Sequence, residues 1–365
     1  MTDAPENSPV LARVENGLGR LTLNRPAALH ALTTRMCEIM TAALLAWRED
    51  PAVVGVLIDH AGERGFCAGG DIRMLAESGA GDGTEACAFF RTEYRLNHLL
   101  FVYPKPVTAI MDGVTMGGGV GISLPACFRV ATEWTTFAMP ETGIGLFPDV
   151  GGGWWLSRLP GESGMWLALT GARIKAADCL LLGLATDFVA ADRVEALKAA
   201  LVADPAGAER TLTLFEADAG RPTLADIRDD TDRLFAGESV EVIVDALGAD
   251  GSDWARTQAD TLASKSPQAL KVAHRELRTG RALERFADEM AMEFRIGARV
   301  VQRPDFREGV RAVIVDKDNA PRWDPPTLES VTDAVLDSVF AALPPGEEWT
   351  PLPELSGLRG EAIRA

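Results

Sequence analysis

Residues 105–124 read KPVTAIMDGVTMGGGVGISL, and their pattern decides the fold. The segment 106–111 (PVTAIM) is an almost unbroken apolar and β-branched run, as expected for a strand buried on both faces. Asp112-Gly113 marks a turn after it, and Met116-Gly117-Gly118-Gly119-Val120-Gly121 leads into a helical stretch. Two more segments share the strand pattern: 53–59 (VVGVLID) upstream and 128–131 downstream, with helical periodicity between them. Shorter β-rich segments at 10–14 and 19–23 open the chain. Asn24-Arg25-Pro26 ends the second, and a helix with Thr33 as its N-cap is predicted over 33–47. Strands alternating with helices predict an α/β protein with parallel strands.

The pattern changes after about residue 160. Short helices are expected at 167–172, 176–182 and 194–203, followed by a polar, Asp-rich stretch at 204–251. A helical region spans 254–303, a turn-rich segment runs to Pro326, and a last helix covers 328–343. The expected organisation is a core over residues 1–200, a C-terminal helical region over 201–343, and a loosely ordered tail over 344–365, rich in Pro and Glu.

Composition narrows the function. The 365 residues carry 53 Asp and Glu against 36 Lys and Arg, a net charge of −17. Such a surface disfavours nucleic acid and anionic membranes, both of which attract basic proteins. No apolar run approaches the roughly 18 residues of a membrane span. The N-terminal MTDAPENSPVLARVENG has no basic region followed by an apolar one, so no secretory leader is expected and a cytoplasmic location is. The five cysteines (37, 67, 87, 127, 179) are scattered and odd in number, which argues against a disulfide framework. The four histidines (30, 60, 98, 274) show no metal-ligand spacing, so no metal site is expected.

Three glycine-bearing segments follow predicted strands, where α/β proteins place their sites. They are GFCAGGDIR (65–73), MGGGVG (116–121) and MPETGIGLFPDVGGG (139–153). Glycine lets backbone approach a ligand closely, and a glycine run entering a helix presents free N–H groups at the positive end of the helix dipole. Taken singly, each run need only make turns. Two side by side offer two donors to one oxygen, an oxyanion hole in which one donor contributes about 3–4 kcal/mol. Neither a GxGxxG after the first strand nor a GK[ST] is present, so a dinucleotide fold and a P-loop are not indicated.

In order and spacing, these three motifs resemble those of the crotonase (enoyl-CoA hydratase/isomerase) superfamily, closely over about residues 8–200. PETGIGLFPDVGGG resembles the 3-hydroxyisobutyryl-CoA hydrolase branch in particular, as does PDFREGVRA (304–312) with the DKD and PRW that follow it. The resemblance implies a ββα spiral of two stacked sheets with a C-terminal helical region. It also implies an acyl-CoA substrate, no metal or redox cofactor, and association into homo-oligomers as a possibility.

Residue by residue, the resemblance implies oxyanion-hole N–H groups at Gly70 and Gly118. It implies substrate or coenzyme A contacts at Ala68, Gly69, Asp71, Ile72, Gly117 and Gly121. Arg25, Arg73 and Lys317 are the local cations for the coenzyme A phosphates. Hydratases of the family carry a glutamate three residues after the middle glycine of GGG, where this chain has Gly121. Their second glutamate aligns with Glu141, and the hydrolase branch adds an aspartate at the position of Asp149. Two carboxylates on one loop can divide the work of base or nucleophile and proton donor. The expected reaction is therefore hydrolysis of a short β-hydroxyacyl thioester, by direct water attack or through a transient anhydride at Glu141, with Asp149 orienting the β-hydroxyl or the proton.

Two other readings stay open at this level: a hydratase or isomerase using Glu141 alone, and a non-catalytic acyl-CoA-binding protein. Cys67 has no histidine near it in sequence to serve as base. His30 occupies a structural position, and Trp154 and Trp155 are expected to pack the helix after Gly153.

Overall fold

The computed structural model describes residues 8–62 and 65–355. Its strands are β1 (Val10–Glu15), β2 (Leu18–Leu23), β3 (Gly55–His60), β4 (Val107–Met111), β5 (Val114–Met116), β6 (Phe128–Ala131), β7 (Thr136–Ala138) and β8 (Asp187–Phe188). β1 and β2 form an antiparallel hairpin turned by Asn16 and Gly17, both at positive φ (+49° and +85°), the pair of residues that a two-residue hairpin favours. All later pairings between these strands are parallel. They give a six-stranded sheet in the order β1-β2-β3-β4-β6-β8 and a second, two-stranded sheet of β5 and β7. The α/β class and the two sheets expected from the sequence are present.

The helices in the first half are α1 (Thr34–Glu49), α2 (Ile72–Gly79), α3 (Thr84–Phe101), α4 (Gly118–Ser123), α5 (Gly152–Leu156), α6 (Ser163–Thr170), α7 (Ala176–Leu181) and α8 (Val194–Ala203). They are followed by α9 (Ala208–Phe215), α10 (Arg228–Leu234), α11 (Val240–Asp250), α12 (Asp253–Ala263), α13 (Pro267–Gly280), α14 (Phe286–Val300), α15 (Pro304–Val310) and α16 (Asp333–Phe340). Thr33 caps α1 as expected, its hydroxyl accepting the Met36 N–H at 3.3 Å.

The strands read as continuous apolar runs because both faces of the sheet are covered. Val56 and Ile58 of β3 enter a large core with Met36, Met40 and Leu44 of α1 and Leu96 and Leu100 of α3. Leu57 points the other way, into a smaller cluster with Leu18, Ile110, Val130 and the helix residues Leu197, Leu201 and Leu212. Each such side chain contributes about 1.5–3 kcal/mol by leaving water.

The C-terminal half departs from the sequence expectation in three places. The Asp-rich stretch 204–251 holds α9, α10 and α11, because Val240, Ile243 and Leu247 recur at helical spacing and are buried while the acidic residues face outward. The turn-rich segment after 303 begins with α15, which continues as a π-helical turn over Arg311–Val315. The tail is packed as far as residue 355: Trp349 and Leu355 are buried, and Arg91 and Arg95 of α3 donate to the Glu348 carbonyl (2.8 Å) and the Thr350 carbonyl (2.9 Å). Residues 356–365 of the tail and 1–7 of the N-terminal segment lie outside the described residues. One core runs across the division expected near residue 200. Phe101 of α3 stacks on Phe286 of α14 with ring centroids 4.2 Å apart, and Trp154 meets Phe286 edge-on at 5.7 Å.

Candidate active site

A cavity of about 400 Å³ lies beyond the C-terminal ends of β3, β5 and β7, where the three glycine-bearing loops converge. It gathers Ala68, Gly69, Gly70 and Ile72 from the first loop, Gly117 and Gly118 from the second, and Glu141 and Asp149 from the third. The other residues expected at the site stand outside its lining. Asp71 caps α2, accepting the Met74 N–H at 3.5 Å, and pairs with Arg25 at 3.7 Å. Arg25 also donates to the Ala31 carbonyl, and Arg73 donates to the Ile314 carbonyl at 3.4 Å. Lys317 is exposed, in a left-handed turn (φ +57°). Gly121 lies inside α4.

Local structure leaves two N–H groups available to the cavity. Gly118 opens α4, so its N–H has no intrahelical acceptor. Around Gly70, the Leu32 N–H donates to the Gly69 carbonyl (2.7 Å) and the Asp71 N–H donates to the Leu32 carbonyl (3.0 Å). That bridge uses the backbone on either side of Gly70, and alternation along the extended chain turns the Gly70 N–H the other way. The loops touch at Gly117, where φ is +46° and an added Cβ would stand 3.2 Å from both the Gly69 Cα and Glu141 Oε1. Only glycine brings the second loop this close to the first and to the carboxylate.

Three carboxylates meet here, one more than the sequence reading found. Glu141 is buried at the start of a short 3-10 turn (Glu141–Ile144), and its Oε2 has no hydrogen-bond partner among the described residues. Asp149 is equally buried and accepts the Tyr94 hydroxyl at 2.8 Å. The third, Glu93 of α3, is 2 % exposed; its Oε1 also lacks a partner and lies 2.6 Å from where a Cβ on Gly118 would stand. Burial raises all three. Asp149 reaches about 6, with the Tyr94 hydrogen bond holding it down. Glu141 and Glu93 are pushed well above the usual carboxylate range, first by burial and then by the charge of Asp149. Like charges this close do not ionise together, so the cluster retains protons near neutrality and can both donate and accept them.

The neighbouring packing explains Gly121. A Cβ there would lie 2.6 Å from the Val150 Cβ and 2.7 Å from Asn97 Nδ2, so the place of the hydratase glutamate is already filled. Val150 has φ +56°, a strained conformation for a β-branched residue. Glu293 of α14 secures the turn from behind, accepting the Gly151 N–H at 2.8 Å and the Gly153 N–H at 3.4 Å. Glu276 and Glu289 stand beside Glu293 in the interior, with carboxylate oxygens of the three within 4.8 Å of one another.

Sequence reasoning missed Glu93, Tyr94, Arg173 and Lys265. Glu93 had a readable signal: it stands four residues from Phe89 and from Asn97, on the stripe of α3 that the core covers. Arg173 and Lys265 come from distant segments, and nothing in their local sequence marks them. Cys67 is buried, with its thiol pushed up to about 12, unsuited to a nucleophile. His30 is buried and accepts the Arg25 N–H at 3.0 Å, a structural role. Trp154 packs in the core under the Arg158 guanidinium at 3.6 Å.

Comparison with known proteins gives the family. Residues 18–340 match the family model described as enoyl-CoA hydratase/isomerase. The chain is 44% identical to the mitochondrial 3-hydroxyisobutyryl-CoA hydrolase of Danio rerio, over 94% of this chain and 92% of the relative. It is 40% identical to that of Homo sapiens, over 94% and 90%. Two solved structures share the fold. A carnitinyl-CoA dehydratase from Mycobacterium thermoresistibile has TM-score 0.90 and 41% identity, covering 94% of this chain and 99% of that one. An enoyl-CoA hydratase from Rhodobacter sphaeroides 2.4.1 has TM-score 0.87 and 40% identity, covering 94% and 100%.

The hydrolase relatives overturn the cytoplasmic expectation. Both relatives are named as mitochondrial proteins, so a cytoplasmic location does not stand. Acidic composition and scattered cysteines suit either compartment and do not separate the cytosol from an organelle interior. With its motifs, its two sheets and its match over residues 18–340, the chain belongs to the enoyl-CoA hydratase/isomerase family.

Proposed function

We propose that this chain hydrolyses the thioester of a short β-hydroxyacyl-CoA, of the 3-hydroxyisobutyryl type. The observation that carries the reading is the meeting of Glu93, Glu141 and Asp149 with the Gly70 and Gly118 N–H groups in one cavity, while packing fills the position at Gly121 where hydratases carry their other glutamate. The two N–H groups bind the thioester oxygen and hold the charge that develops on it. Glu141 borders the second loop, its Oε1 3.2 Å from where a Cβ on Gly117 would stand. It removes a proton from water as the new C–O bond forms, or attacks the carbonyl itself to give an anhydride that water then opens. The C–S bond breaks, and the departing thiolate takes a proton from the carboxylate cluster. Asp149, held by Tyr94, orients the β-hydroxyl. The residues require no metal or redox group for these steps. Relatives 40–44% identical that are hydrolases of this substrate support the reading.

A second reading has one observation in its favour: the two structures that match at TM-scores 0.90 and 0.87 are a dehydratase and a hydratase. Free-thiol release from 3-hydroxyisobutyryl-CoA, run beside crotonyl-CoA hydration, separates the two. The hydrolase reading expects thiol release that Glu141→Gln and Asp149→Asn each reduce by about 10²-fold or more. Hydration without thiol release discards it.

A further inference from the structure

We infer that Glu276, Glu289 and Glu293 form a buried site for one hard divalent cation of the calcium type, behind the turn that carries Asp149. The three lie outside the lining of the catalytic cavity, so the site is independent of the acyl-CoA reading. Glu289 and Glu293 stand one turn apart on α14 and share a face, and Glu276 reaches them from α13. Carboxylate oxygens of the three lie within 4.8 Å of one another. Oxygens held about 2.3–2.6 Å from a common calcium ion fall within about 5 Å of each other. Three carboxylates can offer six oxygens, the lower end of calcium coordination, and a site of oxygens alone disfavours zinc and copper. Histidine and cysteine spacing gave no sign of it, because carboxylates provide every ligand.

The setting of these side chains points to an occupant. Glu276 and Glu289 are 0 % exposed, and no hydrogen-bond donor among the described residues reaches any of their four oxygens. A carboxylate stripped of water and left without a donor is among the costliest groups to bury, and a paired cation offsets that cost. Glu289 is seated between two glycines. A Cβ on Gly153 would collide with its Oε1, and one on Gly280 would stand 2.6 Å from its Oε2, so only glycine clears the space its carboxylate fills. Glu293 is oriented by the Gly151 and Gly153 N–H groups, which leaves lone pairs on its oxygens for an ion. Arg158 is the positive charge that faces Glu289, but its N–H groups donate to the Trp154, Gly280 and Leu283 carbonyls instead of to the three glutamates. Three ionised carboxylates against one guanidinium leave two negative charges, which one divalent cation balances.

The test reads metal content and heat stability, neither of which depends on thiol release. Wild type, Glu276→Gln, Glu289→Gln and Glu141→Gln are dialysed against metal-free buffer and analysed by plasma mass spectrometry. Each is then melted in EDTA and in millimolar calcium, magnesium or manganese chloride. The site expects about one divalent cation retained per wild-type chain, and a Tm about 3 °C or more higher with that ion than with EDTA. Glu276→Gln and Glu289→Gln should lose both the ion and the shift, while Glu141→Gln keeps both. Wild type that retains no ion and melts alike in EDTA and in each of the three salts overturns the site and leaves the three carboxyls holding protons; this arm decides whether or not the variants fold. An ion that Glu141→Gln loses and Glu276→Gln keeps belongs to the catalytic cavity, and that result overturns the inference as well.

Discussion

Tyr94 and Asp149 are 55 residues apart in the chain, yet the Tyr94 hydroxyl donates to Asp149 Oδ2 at 2.8 Å in a buried contact. This bond favours the ionised carboxylate and opposes the burial that raises Asp149 to about 6. Tyr94→Phe removes the opposing effect, so the Asp149 pKa rises further. In the pH–rate profile of thiol release, the acid limb should move to higher pH, with kcat at neutral pH falling about 10-fold and recovering toward pH 8.5. A limb that stays in place would show that Asp149 is not the group titrating there.

Gly121 cannot become the missing hydratase glutamate. The place of its Cβ is occupied by Val150 and Asn97, at 2.6 and 2.7 Å. Gly121→Ala should destabilise the fold by about 1–3 kcal/mol through overpacking, and Gly121→Glu by more. Chemical denaturation measures the loss, and a crotonyl-CoA assay of Gly121→Glu should find no hydration. Hydration gained with stability retained would refute this account of the site.

Glu293 acts through the turn that carries Asp149. Its carboxylate accepts the Gly151 N–H at 2.8 Å, and Glu293→Ala leaves that buried donor unpaired behind the strained Val150. The expected result is a fall in kcat of about 10-fold or more with KM changed little, and partial recovery in Glu293→Gln, which keeps one acceptor oxygen. Glu276→Gln is the comparison, since Glu276 is equally buried and makes no hydrogen bond to the turn. If Glu276→Gln and Glu293→Ala lower kcat alike, the turn contact is not the cause.

His30 and His60 form a buried pair with ring centroids 5.4 Å apart, and burial lowers both to about 4 from an unfolded value near 6.5. Below pH 6.5 the unfolded chain takes up protons that the folded pair refuses. These groups therefore leave stability untouched above about pH 6.5 and reduce it progressively as pH falls toward 4. His30→Asn removes one of them and suits the left-handed backbone there (φ +56°). Thermal melts at pH 7.5 and 4.5 should show a smaller acid shift in Tm for His30→Asn than for wild type. Equal shifts would remove His30 as a source of acid sensitivity.

Local sequence determined β1–β4, β6 and α1, because each buried run and each cap is written within a few consecutive positions; β5, β7 and β8 are only two or three residues long and leave no readable run. It also marked the three glycine loops, and with them Gly70, Gly118, Glu141 and Asp149, which the structure brings to one cavity. The α/β class followed from strands apolar on both faces. Reading the Asp-rich 204–251 stretch by composition failed, because three well-spaced apolar residues suffice to bury one face of α11.

Tertiary structure alone decided what surrounds those loops. Glu93 and Tyr94 enter the site because α3 packs against α4 and the 149–153 turn. Arg173 and Lys265 meet only where the segment after α6 comes beside the segment before α13. Whether Gly121 leaves a gap or a filled space depends on Val150, which is far from it in sequence order and in contact with it in space. Electrostatic and steric effects act over a few ångströms regardless of chain distance, so the charge balance of the site belongs to the fold and not to any single motif.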